Sequence, residues 1–416
     1  MDINTKAKGK LTLTHILLIM VCFAAMNVIN AYYYFIIIAI GIFCLTPHIK
    51  VHIDPLPVAM LLILAVAWVA FSPSVSTSIF SIIKPFIYVL CYILGSSLLP
   101  RDTDFSKDKV PYKLFYLVVL AIASGTFIHY LLNWLTNIGS LDRNTIDFWT
   151  GTVIVATGQA SLACIPMALS IACLFSKSGK RIKIVSAIVL AIVMLYNLIL
   201  SGRTLIFMAL GLAVLAFMHR FLRQKKGKVR LIIITVLVIF AVLIAYQNNL
   251  FGIKTVVEDS PIYDRFFSDN HQKELDDDVR MDRKMYYINE MENYLWGGTN
   301  LRKMYGHAHD IFLDTYDEAG IFAFIGVTVY MLVTLVHLLK CLTYKSFTFE
   351  FRQIVLCIYV AIYLEFMIEP ILQGIPWLFA LFCLIDGYVS RLILHKKHIK
   401  NFEALIPWST SPTTHK

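Results

Sequence analysis

The feature that most constrains this chain is the recurrence of apolar runs about as long as a bilayer is thick. Crossing ~30 Å of hydrocarbon as a helix takes roughly 20 apolar residues. Along 416 residues that ruler finds twelve candidates, at 11–29, 31–46, 55–72, 78–98, 113–135, 160–175, 184–200, 204–222, 231–246, 318–339, 353–370 and 371–392. Lipid offers the backbone no hydrogen-bond partners, so each run must satisfy its own N–H and C=O groups, which a helix does. The expected fold is therefore all-α, a polytopic integral membrane protein with about twelve transmembrane helices. Composition agrees, since 58 % apolar and 15 % charged residues are too greasy for the surface of a soluble domain. The first run has no small-residue cleavage site behind it and leads at once into another, which reads as a span and not a cleaved leader. Eight cysteines lie in or beside the apolar runs with no C-x-x-C pair, so neither a disulfide framework nor a cysteine metal site is suggested.

Charge sets the orientation. With the N-terminus in the cytoplasm, the basic clusters Ser176 to Lys183 (SKSGKRIK) and Arg223 to Arg230 (RQKKGKVR) fall on the inner side, as the positive-inside rule requires. The net charge of +10 thus reads as a topology signal and not as a nucleic-acid surface, because no basic patch is interleaved with aromatics in a soluble domain. This orientation divides the chain into spans one to nine (1–246), a large extracytoplasmic loop between spans nine and ten (247–317), spans ten to twelve (318–392) and a basic cytoplasmic tail (393–416). The short turn Ser201-Gly202-Arg203-Thr204 also faces outward.

A loop this long carries function or is disordered. Its aromatics, among them Phe251, Tyr263, Phe266, Phe267, Tyr286, Tyr287, Tyr294, Trp296 and Tyr305, argue for order. From Arg283 to Trp296, Met285, Ile288, Met291, Glu292 and Leu295 recur at helical spacing, which predicts an amphipathic helix on the membrane surface or over a cavity, ended by Gly297 and Gly298. The triplet Asp276-Asp277-Asp278 suggests a divalent cation or a solvated charge run. Consecutive acids point in different directions, which favours the second.

The stretch GHAHDIFLDTYDEAG, Gly306 to Gly320, holds two histidines and four carboxylates. In an extended segment His307 and His309 share one face, a geometry open to zinc, but no third ligand stands at convincing spacing. A helix N-capped by Asp310 fits the pattern better, with Ile311, Phe312, Thr315 and Ala319 inward and the span following without interruption. His309 then sits at the positive end of the helix dipole, which lowers its pKa and keeps the imidazole a neutral base. Arg203 stands at the outer membrane edge, where its planar fork suits a phosphate and where snorkelling is the plain alternative. Arg280, Arg283 and Arg302 in the loop are candidates to join it, with simple solvation as their plain alternative. Lys84, just before Pro85, with Glu365 and Asp386, are charges inside spans, each a functional hypothesis by default and each explicable by local pairing.

These residues carry a pattern. The run His309-Asp310-Ile311-Phe312-Leu313, followed by Glu318-Ala319-Gly320, resembles the motif by which the long loop enters the next span in the O-antigen ligase and polymerase superfamily of bacterial membrane glycosyltransferases, with Asp310 where that family has asparagine. Similar to the same family are the His307-x-His309 doublet, Ser201-Gly202-Arg203-Thr204, Lys84, Ala156-Thr157-Gly158-Gln159-Ala160, and Arg283 with Tyr287 and Gly298 beyond. The resemblance implies transfer of a glycan from undecaprenyl diphosphate to an acceptor hydroxyl, on the lipid A core in a ligase of lipopolysaccharide biosynthesis. His309 is then the catalytic base, and Arg203, Arg283 and Lys84 bind the donor diphosphate. His307, Asp310, Arg280 and Glu318 support them. Inversion at the sugar, no metal and no cofactor are implied, as is an inner-membrane location with both termini cytoplasmic. A repeat-unit polymerase using the same donor is the alternative; a flippase of the same lipid would call for an internal repeat, and none is seen.

Overall fold

A computed structural model describes residues 3–45, 51–77, 79–99, 110–140, 143–200, 202–223, 244, 247–249, 254, 279–344 and 346–405. Most of the expected ninth span, the first part of the long loop with Asp276, Asp277 and Asp278, Ser201 and the last residues of the tail lie outside the described residues.

The described chain is almost entirely helical. The helices are α1 (Ile3–Met26), α2 (Tyr32–Cys44), α3 (Pro55–Phe71), α4 (Ile79–Ser97), α5 (Val110–Thr136), α6 (Ala156–Phe175), α7 (Lys180–Ile199), α8 (Arg203–Arg223), α9 (Val279–Glu290), α10 (Asn300–Tyr305), α11 (Ile311–Thr343), α12 (Phe349–Phe366), α13 (Ile371–Gly374) and α14 (Pro376–Leu405). One antiparallel hairpin, β1 (Asn144–Ile146) with β2 (Val153–Val155), joins α5 to α6. Among the described residues six helices are long and apolar enough to cross a membrane: Pro111–Thr136, Ala156–Phe175, Lys180–Ile199, Arg203–Arg223, Ile311–Thr343 and Pro376–Leu394. Four shorter apolar helices accompany them, Leu13–Met26, Tyr32–Cys44, Pro55–Phe71 and Ser81–Ser97. The chain is an all-α, multi-pass membrane protein, with α12 made less apolar by Glu350, Arg352 and Glu365.

Packing orders the helix ends. α4 and α14 run parallel: the Tyr88 ring meets Phe379 at 4.9 Å, and two turns on Gly95 lies against Leu384 and Tyr388. A Cβ on Gly95 would come within 2.0 Å of the Leu384 carbonyl oxygen, and one on Gly387 within 2.1 Å of that of Tyr92, so the two backbones touch where side chains are missing. α6 runs antiparallel to α12. Ser161 near the start of α6 donates to Glu365 near the end of α12 at 2.9 Å. At the far end Arg220 donates to Phe175 O at 3.3 Å and Gln353 to Ala216 O at 3.0 Å. The bundle therefore has one end built from the start of α6 and the end of α12, and another built from the end of α6 and the start of α12.

The hairpin belongs to the first end. His129 of α5 pairs with Asp147 at 2.7 Å, while Asp147 Oδ1 accepts from Trp149 N and Thr150 N and so closes the turn. Asp386, deep in α14, is paired locally: it accepts from Tyr359 OH at 2.8 Å and lies 2.9 Å from His337 Nδ1.

The helix contact at Gly95 yields a stability test. Gly95→Ala should destabilise the purified chain by about 1–3 kcal/mol, because the pair must part to admit a methyl. Gly211→Ala on α8, where a Cβ meets nothing within 4 Å, should hold or gain up to about 1 kcal/mol from helix propensity. Thermal unfolding midpoints of the two variants in one detergent compare them directly.

Candidate functional site

Asp314 organises the histidine turn. Its Oδ1 accepts from Ala308 N at 2.9 Å and its Oδ2 from Asp310 N at 3.0 Å, so one buried carboxylate folds the preceding chain back over the first turn of α11. Asp310 is the N-cap, with Oδ1 accepting from Phe312 N at 3.0 Å and Leu313 N at 3.3 Å. The turn puts His309 in the left-handed region, with φ of 56°, which histidine, asparagine and aspartate enter more often than other non-glycine residues. The segment is therefore not extended, and the histidines do not sit in parallel on one face: His307 Nδ1 lies 3.5 Å from Asp314 Oδ1, and the two rings are 6.2 Å apart and inclined at 60°.

α9 covers the turn with its basic face. Arg280, Arg283, Lys284 and Tyr287 recur at helical spacing, while Met281, Met285 and Ile288 point outward and are exposed. Tyr287, fully buried, donates to Gly306 O at 2.8 Å, and Tyr286 stacks on Tyr305. Gly306 leaves room for the Arg283 guanidinium, whose Cζ lies 3.4 Å from where a Cβ would be. Lys284 bridges to Asp310 Oδ2 at 3.3 Å and to Met367 O at 3.0 Å. The described helix, Val279–Glu290, ends earlier than the apolar spacing predicts; its apolar stripe is exposed and its basic stripe makes the contacts.

His309 is held neutral. Burial pushes its pKa down to about 4, Arg280, His307 and Arg283 push the same way, and only Asp314 opposes them. The expectation of a depressed imidazole is met, with desolvation and guanidinium charge as the causes in place of a helix dipole.

α11 does not run on unbroken. At Gly320 the backbone turns to φ 75° and ψ −169°, separating the stretch Ile311 to Ala319 from the rest of the helix. The reason is a backbone intruding at the break: Ile321 N donates to Leu295 O at 2.9 Å, and a Cβ on Gly320 would lie 2.6 Å from that oxygen. Gly297, at φ 77°, faces the break from the other side. Thr299 N and Leu301 N then donate to Asp317 O and Oδ1, at 2.8 and 2.9 Å. Glu318 is clamped by Arg302, 2.9 Å away, and by the Ser72 hydroxyl at the end of α3. Glu318 and Arg302 thus fasten the loop to the bundle.

A third wall comes from the α12–α13 connection. Gln373 Nε2 donates to Asp314 O at 2.9 Å. Glu369, 5 % exposed, is hydrogen-bonded by Thr157 at the start of α6 and faces Arg280, Asp314 and His307. Burial raises its carboxyl to about 7, against the opposing pull of Arg280 and Thr157. Glu369 and Gln373 are absent from the sequence reading, which carries a single span to residue 370. The signal was there in Pro370, since the residue before a proline avoids helical backbone and the helix ends short of it, at Phe366. Glu365, one of the charges expected inside a span, is paired locally and accepts from Ser161 at 2.9 Å.

Arg203 and Lys84 share this end of the bundle. Trp134 and Tyr130 at the end of α5 touch Tyr196 and Val193 at the end of α7, while Asn133 donates to Gln159 of α6 at 3.3 Å. The turn that follows α7 is closed by Asn197, whose Nδ2 donates to Gly202 O at 2.6 Å, and Arg203 opens α8 directly after it. Lys84 precedes Tyr88 by one turn, which sets it level with the start of α14, just beyond Gln373. The charges acting most strongly on His309 are nonetheless those of α9. Among the described residues no group of three or more His, Cys, Asp or Glu is arranged to hold a metal ion.

Neither the models of known protein families nor the curated proteins match this chain.

The depressed His309 pKa has a pH consequence with a definite sign. Unfolding restores it towards its usual 6.5, so the unfolded state binds more protons between about 4 and 6.5 and the His309 contribution to stability, complete above 6.5, is lost as pH falls through that window. Histidine NMR should find one imidazole titrating near 4, a signal that His309→Gln removes.

Proposed function

We propose that this protein is a glycosyltransferase of the O-antigen ligase type. In this reading it moves an oligo- or polysaccharide from undecaprenyl diphosphate to an acceptor hydroxyl, on a glycan or the lipid A core, in the inner membrane of a bacterium. The observation that carries the reading is a neutral imidazole, His309, half-buried beside Arg280 and Arg283 at one end of a membrane bundle. A lipid-linked diphosphate is a donor that needs cations at the membrane surface, and its acceptor needs an uncharged hydrogen-bond acceptor nearby. His309 Nδ1 is buried without a hydrogen-bond partner among the described residues.

The acceptor oxygen attacks the anomeric carbon from the face opposite the phosphate. The new C–O bond forms as the old one breaks, and the diphosphate departs with the electron pair. Arg283 and Arg280, joined by Arg203 and Lys84, stabilise the charge that grows on the leaving oxygens. His309 accepts the hydrogen bond of the incoming hydroxyl and fixes its direction. Asp310 orients the turn through its N-cap, His307 stands beside Asp314, and Glu318 anchors the loop. The chemistry draws on charges of the chain itself, because a diphosphate is already a good leaving group. Basic residues at the opposite end, among them Lys177, Lys180, Arg181, Lys183, Arg220 and Arg223, support a cytoplasmic assignment for that end and an extracytoplasmic one for the site.

A deletion strain analysed by glycan gel tests this. Loss of a ligase leaves bare core with lipid-linked polymer accumulated, loss of a polymerase leaves core bearing one repeat, and an unaltered pattern would refute both. Arg283→Ala should lower transfer about 10²- to 10³-fold in complementation and in vitro assays, as removal of one charge-stabilising donor does, while Arg283→Lys should recover part of it.

A further inference from the structure

The walls of the site contain a second acid-base group. Glu369 is almost wholly buried in the connection between α12 and α13, and its Oε1 has no hydrogen-bond partner among the described residues. The same holds for Gln373 Oε1, four residues on, whose amide nitrogen is spent on Asp314 O at 2.9 Å. Buried oxygens are rarely left unpaired. Both belong to the stretch that contacts Asp314 and faces Arg280 and His307, and each is an acceptor that a donor hydroxyl would satisfy.

The groups facing Glu369 come from every neighbouring element. They are Arg280 of α9, Asp314 of α11, His307 of the turn, Thr157 of α6 and Glu365 near the end of α12. Lys284 reaches the adjacent backbone at Met367 O. One guanidinium close by and two carboxyl neighbours, Asp314 and Glu365, give a carboxylate that can be ionised and can also hold a proton. His309 cannot do the second at neutral pH, since it holds a proton only below about pH 4.

We propose that Glu369 is the catalytic base, receiving the proton of the acceptor hydroxyl on Oε1 while Gln373 Oε1 and His309 hold that hydroxyl in line. The inference rests on the glycosyl-transfer reading and reassigns the proton within it. The O–H bond of the acceptor breaks as its oxygen joins the anomeric carbon; the proton passes to Glu369 and the electron pair of the broken glycosidic bond leaves with the diphosphate. Glu369 must then return the proton to water before the next turnover. A base whose pKa lies near the working pH is the most effective one, and burial has brought the Glu369 carboxyl to about 7.

The test uses the full chain in nanodiscs, with a synthetic undecaprenyl-diphosphate disaccharide as donor and membranes of a strain deleted for this protein as the source of acceptor. Wild-type kcat should climb with pH through a midpoint near 7. Glu369→Gln should lower kcat about 10²- to 10⁴-fold with donor KM changed less than about threefold, and should abolish that pH limb. Glu369→Asp should keep the limb at reduced rate. His309→Ala should lose rate and keep the limb. Retention of the limb, or of the rate within about threefold, by Glu369→Gln overturns the proposal. Infrared titration of the same samples reads the carboxyl without turnover: a protonated carboxyl band fading near pH 7 should be missing from Glu369→Gln, and its persistence there also overturns the proposal. A wild-type chain that transfers nothing to any acceptor membrane while the band titrates as described would sink the glycosyl-transfer reading and the role of Glu369 as its base, but not the titration.

Discussion

The site depends on the carboxylate of Asp314. It takes two backbone N–H groups, from Ala308 and Asp310, at 2.9 and 3.0 Å, and by doing so bends the loop into the turn that presents His309. Its charge alone opposes the depression of the His309 pKa. Without it the turn at His309 would lose both of these bonds, and the first half of α11 would keep only its ties to the loop through Asp317 and Glu318.

The second constraint is the break at Gly320. In lipid an unsatisfied backbone group is costly, so a helix can be interrupted there only where another protein backbone supplies partners. Leu295 O does this for Ile321 N, and Thr299 and Leu301 bind Asp317 next to it. The half-helix Ile311 to Ala319 is thereby set apart from the spanning part of α11, and its N-terminus points the Asp310 cap and the histidine turn towards α9 and the α12–α13 connection. Glycine is required on both sides of the break: Gly297 and Gly320 both adopt positive φ, and each has backbone of the other segment where a Cβ would lie.

Much of the helical architecture was legible in the sequence because apolar length is a direct physical measure of a span. Eleven of the twelve expected runs coincide with described helices, and the remaining one lies mostly outside the described residues. The Asp310 cap was legible too, since a capping aspartate before an apolar run is a local signal, and so was the neutrality of His309, although its cause is burial and arginine charge. Tertiary contacts were not legible. Nothing local to Glu369 announces Thr157 of α6 or Arg280 of α9 as neighbours, and the apolar ruler carried the eleventh span past Phe366 into a connection that holds two polar side chains. The kink at Gly320 was missed for the same reason: it is imposed by Leu295, twenty-five residues earlier in the chain and on another element.

The central claim is that the arginines of α9 and a neutral His309 form one binding site for a lipid-linked diphosphate. The most direct measurement is a cryo-electron microscopy structure of the full chain with undecaprenyl diphosphate added. The account predicts density for the diphosphate with oxygens within about 3 Å of the Arg280 or Arg283 guanidinium and with His309 on the same cavity. Diphosphate density at the opposite end of the bundle, beside Arg220 and Arg223, would contradict it.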